Sequence, residues 1–157
     1  MFRSILTAAI AASLACLSSA ASAQTVDNQF KDWTVFTHEG LCYIGTAPKD
    51  SAKDGKVYLL VTQRKKNVDE VSASLGEALK AETPVSLTIG KTDFKLFSQE
   101  EVAWARDEAT DAKIVGALKK ASSVSVKATL ESGKTATQKF SLSGFAAAYK
   151  RMQALCK

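Results

Sequence analysis

Histidine occurs once in the 157 residues, proline twice and cysteine three times. With His38 alone, a Ser/His/Asp relay has a single candidate base, and no Gly-x-Ser-x-Gly turn accompanies it. One histidine with cysteines at 16, 42 and 156 forms no closely spaced ligand set, so no metal is expected. Neither a Cys-x-x-Cys motif, a phosphate-cradling glycine loop nor a dinucleotide fingerprint is present, which leaves no cofactor a foothold. Eight glycines and two prolines exclude collagen-like and linker-like chains. Hydrophobic residues at 46% and charged ones at 24% exclude wholesale disorder. After Gln24 no apolar run approaches the roughly 20 residues of a spanning helix.

The start of the chain is different in kind. Arg3 is the only charge before an uncharged run to Ala23, and its apolar part, Ile5 to Leu17, is too short to anchor a chain across a bilayer. Ala21-Ser22-Ala23 then places small residues before Gln24, so residues 1–23 read as a cleaved secretory signal and 24–157 as a single exported domain, periplasmic or secreted. An uncleaved anchor and a lipoprotein acylated at Cys16 are the alternatives; Ser13 stands where a lipobox has Leu. Cleavage removes Cys16 and leaves Cys42 and Cys156, an even pair that an oxidising compartment joins as a disulfide.

The formal net charge is +5. Its densest cluster, Arg64-Lys65-Lys66, follows an apolar run and precedes Asn67, which reads as a solvated turn. An exported protein meets little nucleic acid. The partner classes expected are therefore an unidentified protein or an anionic envelope surface.

Period-two alternation dominates the mature chain. Trp33 to Thr37 and Cys42 to Thr46 read as strands joined around Glu39-Gly40, and Val57 to Thr62 as a strand apolar on both faces, central in a sandwich or under a helix. Val71, Ala73 and Leu75 alternate with polar neighbours, as do Val85, Leu87 and Ile89. Gly90-Lys91 offers a type II′ turn into a return strand through Phe94, Leu96 and Phe97, and Val102 to Ala105 forms another short strand. Val124 to Leu130 and Ala136 to Leu142 make a hairpin about Ser132-Gly133. Ile114, Val115 and Leu118 keep helical spacing behind Thr110 as N-cap. Phe145, Ala148, Tyr149, Met152 and Leu155 form a second helical stripe, with Cys156 turned toward the body of the protein where Cys42 can meet it. The fold class expected is mainly β, an antiparallel sandwich or flattened barrel of about eight strands with one short internal helix and a C-terminal helix across one edge.

Candidate chemistry is sparse. His38 falls in the polar loop Thr37-His38-Glu39-Gly40, where a surface role is expected. Glu100, Glu101, Asp107, Glu108 and Asp111 cluster in sequence, but adjacency alone does not set two carboxylates across a substrate cleft. Trp104 beside Arg106, and Tyr43 on an early strand, have the composition of partner contacts; core filling by Trp104 is the competing reading.

Phe30-Lys31-Asp32-Trp33-Thr34-Val35, Cys42-Tyr43-Ile44, Ala103-Trp104-Ala105-Arg106-Asp107 and Ser141-Leu142-Ser143-Gly144-Phe145-Ala146-Ala147-Ala148 before Cys156, taken in this order, resemble the invasion-associated locus B family of exported bacterial proteins. The resemblance implies a small β-rich domain of the bacterial periplasm or outer envelope and supplies no catalytic motif to map. Phe36 and Thr37 stand where the best-known form of the family carries a Cys, and no Cys lies between Cys42 and Cys156, so the likeness is to a short, two-cysteine branch. The function expected is non-enzymatic: binding or envelope support, with host-cell interaction as the use the resemblance suggests. A small-ligand or lipid carrier and a hydrolase built on the acidic cluster are the alternatives.

Overall fold

A computed structural model describes residues 24–50 and 55–156; the expected export signal, residues 1–23, lies outside them. The elements run β1 (Thr25–Phe30), β2 (Trp33–His38), β3 (Leu41–Thr46), β4 (Val57–Lys65), β5 (Val68–Leu75), β6 (Val85–Ile89), β7 (Thr92–Gln99), β8 (Val102–Trp104), α1 (Glu108–Leu118), β9 (Ser123–Thr129), β10 (Thr135–Ser141) and α2 (Phe145–Leu155). Tight turns join neighbours in the sheet. Glu39 and Gly40, at φ +48° and +81°, turn β2 into β3, and Gly90 at φ +60° turns β6 into β7.

All pairings are antiparallel, in the order β1-β2-β3-β4-β5-β8-β7-β6-β9-β10, and the sheet does not close. β7 turns the corner of the resulting sandwich: Thr92 to Leu96 pair with β6, whereas Phe97 to Gln99 pair with β8. β5 thereby comes to lie across the core from β9 and β10. Trp33, Ile44, Leu59, Leu87, Leu96 and Phe140 fill the space between the layers, each under 2% exposed. Trp33 also spans the layers, its indole N–H donating to the Ser141 carbonyl at 2.9 Å while its ring meets Phe145 edge-on at 4.8 Å.

Ten strands stand where about eight are expected. β1 is invisible to periodicity because Thr25-Val26-Asp27-Asn28-Gln29-Phe30 is an edge strand, bulged between Val26 and Asn28, with no residue fully buried. Besides its backbone pairing to β2, it is tied to α2: Asp27 accepts two hydrogen bonds from the Arg151 guanidinium, which hold its carboxyl below the usual range. α1 also begins earlier than Thr110 suggests. Asp107 is the N-cap and its carboxylate accepts the Thr110 N–H at 2.7 Å. α2 packs on β1, β2 and β3 with Phe145, Ala148 and Met152 in the common core.

Candidate functional site: an aromatic outer face and the bridge behind it

The sheet alternation that buries Val35, Ile44, Leu59 and Val71 sends the intervening side chains outward. Strand register then sets them side by side. One row runs Phe36, Tyr43, Thr62, Glu70. The adjacent row runs Thr34, Gly45, Leu60, Ser72, Trp104, Phe97. Phe36 and Tyr43 stack at 5.1 Å between centroids, and Phe97 and Trp104 at 5.8 Å. Phe97 is 38% exposed, an uncommon cost for a large apolar ring on a folded surface.

Two shallow grooves cover this face. One, about 680 Å³, takes in Phe36, Leu41, Tyr43, Tyr58 and Leu60; the other, about 480 Å³, takes in Phe97, Gln99, Trp104 and Arg106. Arg64 borders both and is ion-paired to Glu70. Of the three candidate contacts, Trp104 and Arg106 therefore share a groove and Tyr43 lies in the adjoining one. Burial pushes the Tyr43 and Tyr58 hydroxyls upward, with Glu101 adding to the effect at Tyr58.

Phe36, Tyr58, Leu60 and Phe97 escape sequence reasoning as site residues. Their signal is present in Val57 to Thr62, whose apolar character on both faces matches a core on one side and this outer surface on the other, with no helix over it among the described residues. The small residue opposite Leu60 also has a reason. A Cβ on Gly45 would stand 2.5 Å from the Leu60 Cδ2, so glycine lets Leu60 lie flat across the row.

The acidic cluster disperses into separate tasks. Glu100 and Glu101 lie in the β7–β8 turn, and Asp107 caps α1, its carboxyl held low by the Thr110 amide. Asp111, 6% exposed, accepts the Val71 N–H at 2.8 Å. β8 pairs with β5 only from Ser72 to Ser74, so the carboxylate takes the place of a missing strand. Burial raises Asp111 to about 6, with Glu70, Asp107 and Asp69 adding and the Val71 bond opposing. Glu70, Asp107, Glu108 and Asp111 do line the Trp104 groove. Three of these four carboxylates are already engaged, by Arg64, Thr110 and Val71 respectively.

His38 ends β2 in register with Leu41, a strand position where a loop is expected; its Nδ1 is buried with no hydrogen-bond partner. Among the described residues no three His, Cys, Asp or Glu side chains converge to hold a metal ion. No helix among them is long and apolar enough to cross a membrane. Behind the face, Cys42 and Cys156 form a disulfide, with Cα atoms 6.0 Å apart and 114 positions between them in sequence. Gln63, buried on β4, donates to the Cys156 carbonyl at 3.0 Å and secures the same end of α2.

The model of the invasion associated locus B (IalB) protein family matches residues 13–153. The chain belongs to the invasion associated locus B family. The IalB fold is seen in the crystal structure of invasion associated protein B from Bartonella henselae, which is 16% identical, aligns over 85% of this chain and 98% of that one, and superposes with a TM-score of 0.66. No curated protein sequence matches this one significantly. Within the IalB family the Cys42–Cys156 bridge fits the two-cysteine form.

Proposed function

We propose that this IalB protein is exported and non-enzymatic, and that it works by binding a protein partner on the face built from Phe36, Tyr43, Trp104 and Phe97. The observation that carries the reading is the outward stacking of two aromatic pairs on one side of the sheet. Rigid aromatic rings supply large contact area at little entropic cost, and Arg64 and Arg106 lie within the same grooves. A disulfide between distant segments supports an extracytoplasmic home, periplasmic or outside the cell. In a family described as invasion associated, host-cell contact is the use to which this face is best suited.

The alternatives have weaker support. A lipid carrier needs apolar space between the layers, where Trp33, Phe140 and Phe145 pack; the 960 Å³ cavity at the sandwich end is lined by Lys49, Asp50, Glu77 and Ser122 among others. A hydrolase needs a free carboxylate pair, and the raised Asp111 is occupied by Val71.

Native mass spectrometry of the protein drawn from its own envelope fraction tests the reading. Wild-type protein is expected to carry a protein-sized mass that Trp104→Ala with Phe97→Ser removes. A small-molecule mass, or a partner indifferent to those substitutions, would overturn it.

A further inference from the structure

The opposite outer face of the sandwich has a different chemistry, and it does not depend on the reading above. Strands β7, β6, β9 and β10 send outward Lys95, Ser86, Lys127 and Thr137 in one register row, and Asp93, Thr88, Ser125 and Lys139 in the next. No apolar side chain interrupts these two rows. Asp93 is their single carboxylate, held by Lys95 and the Thr88 hydroxyl, which leave it below the ordinary carboxylate range.

Charge is concentrated here. The turns at either end of these strands add Lys91 and Lys134 against Glu131. Of the formal net charge of +5, Arg3 and Lys157 supply two, and this face with its turns supplies the other three, so the rest of the chain is balanced. The distribution differs from what the sequence suggests, since the conspicuous Arg64-Lys65-Lys66 cluster sits in a balanced region with Arg64 bound to Glu70. Lys127 and Lys139 make no ion pair within 4 Å among the described residues, and both are exposed among hydroxyl side chains.

We infer that this lysine and hydroxyl face is a docking surface for an anionic lipid leaflet. A face whose excess charge is positive, with lysines and hydroxyls in adjacent register rows, complements a layer of phosphate headgroups, and each lysine held near such a layer adds to the attraction. Serine and threonine hydroxyls between the lysines are donors of the kind that phosphate oxygens accept from. Because β5 lies across the core from β9 and β10, docking on this side leaves the aromatic face turned away from the leaflet.

Co-sedimentation of the mature, disulfide-closed protein with vesicles tests this, using phosphatidylglycerol mixed into phosphatidylcholine against phosphatidylcholine alone. Binding is expected only to the anionic vesicles and is expected to weaken steeply as salt shortens the screening length to about 3 Å near 1 M. Lys127→Glu with Lys139→Glu is expected to lower affinity tenfold or more, whereas Lys65→Glu with Lys66→Glu, an equal change in net charge, is expected to lower it less than threefold. All four positions are exposed, so the variants keep the core. Absence of binding to the anionic vesicles, or equal loss from both pairs, would overturn the inference.

Discussion

Asp111 is a carboxylate doing the work of a backbone carbonyl, and its ionised form is costly in that place. Its pKa is raised to about 6 in the folded protein against 3.8 for the free side chain, so the native state binds the extra proton between those values. Stability from this group is therefore present in acid and falls as pH rises from about 4 to 6. The full difference is roughly 3 kcal/mol. Asp111→Asn, which keeps an oxygen for Val71, is expected to raise the denaturation midpoint at pH 7 and to have little effect at pH 4. A midpoint difference that grows toward low pH would contradict this. Cys42 has the converse role. Replacing it by Ala is expected to lower stability by roughly 2 to 5 kcal/mol in urea denaturation, because the unfolded chain regains a long loop. An unchanged midpoint would rule that out.

Gly144 joins β10 to α2 at φ +94° with no room for a side chain: a Cβ there would lie 1.8 Å from the Phe30 carbonyl oxygen. Gly144→Ala is expected to cost about 2 kcal/mol or more and to loosen α2 first, seen as faster amide exchange in that helix. Asp107→Ala, which strips the cap from α1, is expected to cost about 1 kcal/mol by thermal unfolding. These elements also show how far the sequence is readable. Strands with one buried face, such as β6 and β9, are legible because burial imposes a period of two. β1 is not, since backbone pairing to β2 and an ion pair with Arg151 from the far end of the chain hold it, and neither imposes an apolar period. The N-cap was displaced by one helical turn because Asp107 and Thr110 are equally good in composition, and only the direction of the Thr110 amide chooses between them. At the candidate site Tyr43 and Trp104 were legible as aromatic residues on strands. Phe36 and Phe97 are equally legible as strand residues, but their place beside Tyr43 and Trp104 is not, because register across six strands is a property of the sheet and no local window contains it.

At the scale of the molecule, one curled sheet carries two outer surfaces of opposite character, joined through β7, where Lys95 and Phe97 point the same way two residues apart. The change from hydroxyls and lysines to aromatic rings occurs at the corner where pairing passes from β6 to β8. The disulfide adds a property of another sort. Every element from β4 to α2 lies between the two bonded residues, so nearly the whole domain is a covalent ring, and only β1, β2 and the first residue of β3 hang outside it among the strands. A protease that cuts an exposed turn such as Glu131 to Lys134 opens the ring without releasing a fragment. The nicked molecule is expected to run as one band on a denaturing gel and as two only after reduction. A protein built this way can be clipped at its surface and still hold both faces on one piece.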